Sequence, residues 1–152
     1  MAETLVSYNL ISLAEVKDAL GVTTNEKNDL LTRYINWATD LIEKYCNGRR
    51  FKATTYTDQE YDGSGTPYLT LKHWPLNSIT ILEKRTSTDY SSSDFNEIDT
   101  SHYIIDSGSQ SNKGQIYNKL GFTKGIRNYR ITYNGGYTTI PNDLEEACGK
   151  LV

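Results

Sequence analysis

The chain has 152 residues, of which 37% are hydrophobic and 23% charged, and its formal net charge is −3 at pH 7. This length suits one domain with a sizeable core, and the mild acidity argues against a protein that grips nucleic acid over a broad surface. No apolar run approaches the roughly 20 residues of a membrane span, and the N-terminus lacks the pattern of a signal peptide.

The first predicted element is a short helix over about residues 12–20. Ser12 and Glu15 have the spacing of a capping box, and Gly21 is placed to end the helix. About two turns of helix are not stable alone. We therefore expect this helix to lie on a neighbouring element.

The strongest pattern in the chain predicts a long amphipathic helix over about residues 25–47. At about 100° per residue, one continuous half is apolar: Trp37, Leu30, Leu41, Tyr34, Tyr45, Ala38, Leu31, Ile42, Ile35 and Cys46. The other half is polar: Thr39, Thr32, Glu43, Asn36, Asp40, Arg33 and Lys44. Because the apolar half is wider than one neighbour needs, we expect it to pack on both the first helix and a last helix over about 142–152. Trp37 lies at its margin, and a truncated last helix would leave that edge for a neighbouring subunit.

Between the helices the pattern changes to that of strands. Residues 54–61 and 68–71, separated by the turn residues 62–67, predict a hairpin. Further strands are predicted at 78–84, 103–105, 115–117 and 129–133. The predicted fold class is therefore α+β, in a single domain over residues 1–152. It is a small three-helix bundle with a central long helix and a β-rich insertion over about 54–133, between the second and third helices.

Two adjacent blocks of this insertion carry opposite charge. The segment 86–106 contains no Lys or Arg, and its acids are Asp89, Asp94, Glu97, Asp99 and Asp106. The segment 107–142 contains no Asp or Glu, and its bases are Lys113, Lys119, Lys124, Arg127 and Arg130. Two interpretations are open: the blocks pair within one subunit, or they form two faces that attract each other between copies.

Residues that carry chemistry occur in no recognisable arrangement. His73 and His102 have no third partner in a catalytic order. The segment 62–66 lacks the ligand alternation of a calcium loop and is better explained as a turn. Cys46 and Cys148 have no metal-ligand spacing and are predicted to be small buried thiols. We predict no catalytic, cofactor-binding or metal-binding residue.

A short basic run, Arg49, Arg50 and Lys52 around Phe51, directly follows the long helix. Such a run is most simply a solvated helix end, favourable at the negative pole of the helix dipole. The alternative is a contact with DNA or with an acidic partner.

The chain also carries an ordered set of short fragments: Leu13-Ala14-Glu15-Val16-Lys17 with Leu20-Gly21, Ile42-Glu43-Lys44-Tyr45-Cys46-Asn47-Gly48-Arg49 running into Phe51, Tyr61-Asp62-Gly63-Ser64-Gly65 before Leu69 and Leu71, Trp74-Pro75-Leu76 with Ser78-Ile79, and Tyr133-Asn134-Gly135-Gly136-Tyr137 followed by Ile140-Pro141-Asn142-Asp143-Leu144-Glu145. In this order and at these separations, the set resembles the head–tail connector (head-completion or adaptor) proteins of tailed bacteriophages and prophages. The resemblance spans nearly the whole chain.

The resemblance implies a structural protein of the virion neck, made in the cytoplasm of the bacterial host, with no enzymatic activity and no cofactor. It implies a ring of about a dozen subunits beneath the portal, which extends the DNA channel and links capsid to tail. The implied partners are other copies of the chain, the portal protein, a stopper or tail-completion protein, and genomic DNA in transit, with no membrane. The family fold is a small helical bundle that carries β-structure.

A ring needs two complementary faces on each subunit. The candidate subunit interface comprises Asp89, Asp94, Glu97, Asp99, Lys113, Lys119, Lys124, Arg127 and Arg130. The candidate portal or DNA contact comprises Arg49, Arg50 and Lys52. Two other classes stay open: a small β-rich module that binds a ligand or carbohydrate, for which Tyr and Trp would supply contact surface, and a hydrolase with an unrecognised site.

Overall fold

The structure is a computed structural model, and it describes residues 3–90, 94–105 and 114–152. Its helices are α1 (Leu13–Ala19), α2 (Asn28–Tyr45) and α3 (Asn142–Gly149). Its strands are β1 (Thr54–Gly63), β2 (Tyr68–Thr70), β3 (Leu76–Arg85), β4 (Phe95–Glu97), β5 (Tyr103–Ile105), β6 (Gln115–Asn118) and β7 (Gly125–Gly135).

The predicted fold class, a three-helix bundle with a central long helix, is wrong. Over the described residues the three helices are short, with 7, 18 and 8 residues. Seven strands in two antiparallel sheets make up most of the regular structure. The physical reason is that α1 and α3 each make about two turns, too little to form a bundle with α2. The β-structure is the larger part of the fold and not an insertion into a helical one.

The chain divides into two compact units. Unit 1 comprises residues 1–53 and 137–152, and unit 2 comprises residues 54–136. Unit 1 contains the three helices, and unit 2 contains both sheets.

The start of α1 confirms the predicted capping box. The Ser12 hydroxyl accepts a hydrogen bond from the Glu15 amide at 3.2 Å, and the Glu15 carboxylate accepts one from the Ser12 amide at 2.8 Å. The Ser12 hydroxyl also donates a hydrogen bond to the Glu15 carboxylate at 2.6 Å, and this bond, together with that from the Ser12 amide, lowers the pKa of Glu15. The helix ends before Gly21, whose φ of +65° is a conformation that glycine adopts without strain.

Helix α2 is rotated relative to the orientation that its apolar half predicts. Its buried residues are Leu31, Thr32, Ile35, Ala38, Thr39 and Glu43. Three of these, Thr32, Thr39 and Glu43, belong to the polar half of the predicted helix. At about 100° per residue, the centre of the buried face is displaced by roughly 80° from the centre of the apolar half.

Two small hydrophobic clusters hold unit 1 together. In one, Val16 of α1 packs with Leu31 and Ile35 of α2. In the other, Ala38 of α2 packs with a group that includes Leu10, Phe51 and Cys148 of α3. Both α1 and α3 therefore pack on the rotated face of α2. Cys148 is buried, as predicted, and Cys46 is half-buried.

The larger sheet of unit 2 has the strand order β1-β7-β3-β4, with every pair antiparallel. The predicted hairpin between residues 54–61 and 68–71 is wrong, because β1 pairs with β7 and β2 pairs with β6. Strands β1 and β7 have matching lengths of 10 and 11 residues, whereas β2 has only 3 residues to offer. The long strands thus form a more extensive hydrogen-bonded ladder with each other than a local hairpin would allow.

The smaller sheet, in the order β2-β6-β5, shares one core with the larger sheet. Buried residues of both sheets and of the segments that connect their strands form this core: Leu69, Leu71, Leu76, Leu82, Tyr103, Ile116, Phe122, Tyr129, Ile131 and Tyr133. The hydroxyls of Tyr61 and Tyr133 are hydrogen-bonded at 2.7 Å. Burial, together with this hydrogen bond, raises the pKa of Tyr133.

At Gly63 and Gly135 of unit 2, a backbone carbonyl leaves no room for a side chain. A Cβ at Gly63 would lie 1.8 Å from the carbonyl oxygen of Thr123, and a Cβ at Gly135 would lie 2.6 Å from that of His73. Both obstacles are backbone atoms, which cannot rotate away as a side chain can. Close approach of two backbone segments therefore requires glycine at these two positions.

Candidate interaction surfaces

The basic run after α2 is folded against other residues of unit 1. The Arg50 guanidinium pairs with the Glu43 carboxylate at 2.5 Å, and its central carbon lies 3.4 Å from the centroid of the Tyr8 ring. The Arg49 guanidinium lies over the Phe51 ring at 4.7 Å. All of these arginine contacts are made within the chain.

Lys52 completes the run. Its ammonium group donates a hydrogen bond to the Asn9 side chain at 3.4 Å, and its backbone forms a parallel bridge with Tyr137. Arg49, Arg50 and Lys52 are all half-buried. A portal or DNA contact through these three residues stays a prediction, and it would use side chains that already have intrachain partners.

Glu43 is the buried anchor of this region. Its side chain is 5% exposed, and its carboxylate accepts hydrogen bonds from the Arg50 guanidinium and, at 3.2 Å, from the Phe51 amide. Burial raises the pKa of Glu43, because desolvation disfavours its charged form more than these partners favour it. Glu43 thus ties the end of α2 to the segment that carries the basic run.

Two basic residues of the predicted subunit interface form ion pairs inside unit 2. The Arg130 guanidinium makes two hydrogen bonds to the Glu83 carboxylate, at 2.7 and 3.1 Å, and these raise the pKa of Arg130. The Arg127 Nε lies 2.6 Å from a carboxylate oxygen of Glu60, which also pairs with Arg85 at 3.1 Å. Glu60 and Glu83 belong to β1 and β3, and not to the acidic block. These two arginines are therefore neutralised by acids that the charge-block pattern does not include.

Six further members of the two charged blocks, among the described residues, lie at the surface of unit 2. Asp89, Asp94, Glu97 and Asp99 are exposed, as are Lys119 and Lys124. The Asp99 carboxylate accepts a hydrogen bond from the Ser101 amide at 2.8 Å, and hydrogen bonding to Ser101 lowers the pKa of Asp99. Lys113, the remaining residue of the predicted interface, lies outside the described residues.

A cleft of about 670 Å³ lies beside part of the acidic block in unit 2. Its lining includes the acids Glu97 and Asp99, the bases Lys84 and Arg85, and His102. Among the described residues, no group of three or more His, Cys, Asp or Glu side chains is arranged to hold a metal ion.

The most prominent surface feature of unit 1 is one of which sequence reasoning identified only the edge at Trp37. Five large apolar side chains on one side of α2 are exposed: Leu30 (42%), Tyr34 (42%), Trp37 (54%), Leu41 (41%) and Tyr45 (90%). They follow one another at helical spacing and form a continuous row, which we name the α2 stripe. The expectation that the first and last helices would cover the whole apolar half is wrong. The signal in the sequence for this exposed surface was the apolar half itself, which is wider than one neighbouring element needs.

A second apolar feature of unit 1 lies between α1 and α3. This groove, which we name the α1–α3 groove, has a volume of about 500 Å³. Its lining is Ile11, Glu15, Val16, Ala19, Leu20, Asn142, Glu145, Glu146, Gly149 and Lys150. Its wall is mainly aliphatic, and three of its residues are glutamates.

Exposed apolar surfaces of this size are typical of sites where a protein contacts other proteins. A family model described as "Head completion protein" matches residues 9–152 of the chain. The chain therefore belongs to the head completion protein family, a family of phage head–tail connectors. This confirms the family resemblance noted in the sequence.

The fold is shared with a chain of a solved structure described as the neck of an empty GTA particle computed with C6 symmetry. The TM-score is 0.60 at 16% sequence identity, and the match covers 99% of this chain and 80% of that chain. Comparison with curated proteins gave no match. Within the described residues, no helix is both long and apolar enough to cross a membrane.

Proposed function

We propose that this chain is a non-enzymatic subunit of a ring at the head–tail junction. The ring lies beneath the portal, extends the DNA channel and links the capsid to the next neck or tail component. The observation that carries the proposal is the family match over residues 9–152. The shared fold with a chain from a particle neck of C6 symmetry supports a ring, because sixfold symmetry at a junction requires repeated subunits.

The proposed partners follow from this position in the particle. They are other copies of this chain, about a dozen in one ring, the portal protein above, and a stopper or tail-completion protein below. Genomic DNA passes through the channel only transiently. The net charge of −3 suits a channel through which DNA slides without binding tightly.

We also propose that charged residues of unit 2 contribute to the contact between copies. Arg127 and Arg130 already form ion pairs with Glu60 and Glu83. Their positive charge is therefore largely neutralised within the chain and contributes less to a contact between copies. Lys124 and Glu97 are exposed charges of the two blocks that would attract each other between copies, whereas Lys119 lies close enough to Asp99 in the same chain to help lower the pKa of that carboxyl. Exposed charge pairs are screened by salt, so raised ionic strength should weaken this contact.

Native mass measurement and negative-stain microscopy of the purified chain test for the ring. We expect closed rings at high protein concentration and a smaller assembled fraction as the salt concentration rises. Lys124→Glu should reduce ring formation and its salt dependence. Lys72→Glu is the matched control, since it makes the same charge change at another exposed lysine of unit 2.

The outcomes separate the parts of this proposal. Rings that form equally well at all salt concentrations and with Lys124→Glu would show that the charged faces are not the contact. A chain that neither forms rings nor binds a portal ring would count against the proposed position beneath the portal.

A further inference from the structure

We propose that the α2 stripe of one copy docks into the α1–α3 groove of the next copy, and that this contact repeats around the ring. The inference rests on the proposed function, since a ring needs two different and complementary surfaces on every subunit. The partner is therefore a second copy of this chain.

The α2 stripe has the composition and extent of an interface core. Its three aromatic residues, Tyr34, Trp37 and Tyr45, are of the types enriched where protein interfaces are fully buried. From their exposed fractions, the stripe presents on the order of 500 Å² of apolar side chain. This is at the upper end of the patches seen on monomers, and more than half of the roughly 800 Å² that one partner buries in a standard interface.

The α1–α3 groove has the complementary shape. Ala19 and Gly149 are small residues in its lining, and they leave room between the two helices. A Cβ at Gly149 would already lie 3.3 Å from the Ile11 side chain, so the wall is closely packed beneath the groove. Leu20, which is exposed, extends the apolar lining at one end.

The two surfaces lie on different sides of unit 1. Val16 lines the groove and also packs against Leu31 and Ile35, so the groove lies on the side of the buried face of α2. At about 100° per residue, the stripe is roughly 130° around the helix from that face. A stripe that meets a groove on another copy makes a heterologous contact, which generates a ring when its rotation closes.

Charge complementarity favours the same pairing. Lys44 and Arg33 border the stripe on one side of α2, whereas Glu15, Glu145 and Glu146 line the groove. Within the chain, Arg33 pairs with Glu3 and Glu146 pairs with Lys150, both at the surface. A basic border that faces an acidic rim would orient the two copies as they associate.

The experiment uses two variants that each disable one surface with the same new side chain. Trp37→Glu places a carboxylate in the stripe, and Ala19→Glu places one in the groove. Thr24→Glu, in the exposed loop between α1 and α2, is the matched control. Circular dichroism and thermal unfolding establish that each variant is folded, and sedimentation velocity measures its association.

We expect the wild type and Thr24→Glu to associate reversibly and to the same extent. Each disabled variant alone should associate at least about tenfold more weakly, as truncation of a central aromatic residue does in other interfaces. A mixture of the two disabled variants should form a dimer and nothing larger. Each such dimer contains one intact stripe, from the Ala19→Glu copy, and one intact groove, from the Trp37→Glu copy.

Other results would overturn the inference in distinguishable ways. If Trp37→Glu forms the same rings as the wild type, the stripe is not the contact, and the proposed ring function survives. If Ala19→Glu assembles normally while Trp37→Glu does not, the stripe binds a surface other than the groove. A wild type that stays monomeric at its highest soluble concentration, with loss of portal binding in Trp37→Glu, would assign the stripe to the portal.

Discussion

Replacement of Glu43 by alanine should destabilise unit 1 by about 2–3 kcal/mol. The carboxylate is buried and accepts a hydrogen bond from the Phe51 amide, which would be left without its acceptor. A buried donor that loses its partner costs about 1–3 kcal/mol. The Arg50 side chain is 37% exposed, so its lost ion pair adds less than about 1 kcal/mol.

The assay is chemical denaturation followed by circular dichroism, with thermal unfolding as a second measure. A loss of this size should lower the melting temperature by roughly 4–10 °C. Glu43→Gln is the matched control, because its amide oxygen can still accept from Phe51, and we expect it to lose no more than about 1 kcal/mol. If Glu43→Ala unfolds within about 0.5 kcal/mol of the wild type, the Glu43 contacts do not stabilise the fold.

The wild type and Glu43→Gln also allow a pH test, in which the direction of the stability change follows from the pKa of Glu43. The pKa of Glu43 is raised above its ordinary value of 4.5 in the folded state, so the folded state binds this proton more tightly than the unfolded state. Stability from this group is then fully present below pH 4.5 and is lost as the pH rises through the raised pKa. The advantage of the wild type over Glu43→Gln should therefore shrink with rising pH. An advantage that grows with pH would show that Arg50 dominates over burial.

Three further substitutions test separate features of the fold. Gly63→Ala should cost about 3 kcal/mol or more in urea denaturation, because the new Cβ meets a backbone carbonyl oxygen, and a cost under about 1 kcal/mol would contradict the close approach. Ser12→Ala should cost about 1 kcal/mol and speed hydrogen exchange in the first turn of α1, since it removes the hydroxyl that accepts from the Glu15 amide and keeps only the bond from the amide of residue 12 to the Glu15 carboxylate. In a double-mutant cycle, Arg130→Met and Glu83→Leu should show a coupling of at least about 1 kcal/mol, and additive losses would mean that the pair contributes nothing.

Local features of the fold could be predicted from the sequence because they depend on residues close together in the chain. The capping box of Ser12 and Glu15 was confirmed, and the strand predicted at 103–105 is β5. The pairing of the strands could not be predicted. The turn residues 62–67 suggested a hairpin, but β2 has only 3 residues to pair, and β1 pairs instead with the long strand β7, some seventy residues later.

The candidate site shows the same division between local and distant information. Adjacent blocks of opposite charge are visible in the sequence, but their partners are not. Arg130 pairs with Glu83 and Arg127 with Glu60, because β7 lies between β1 and β3 in the sheet and places its outward side chains beside theirs. The strand order must therefore be known before a charge pattern can indicate which charged residues stay solvated.

The rotation of α2 follows from packing that a helical pattern does not contain. An apolar half of a helix shows which residues tolerate burial, but not which part of that half is covered. Small residues decide this here: Ala38 and Thr39 let α2 approach α3, with the Thr39 hydroxyl 3.8 Å from the Cys148 sulfur and 3.4 Å from the Leu10 amide, which donates to it. Trp37 is too large for such an approach. The close contact thus turns the small and polar side chains of α2 inward and its largest apolar ones outward. An exposed aromatic row of this kind marks a surface for contact with another protein, and it is the surface that the proposed docking between copies would cover.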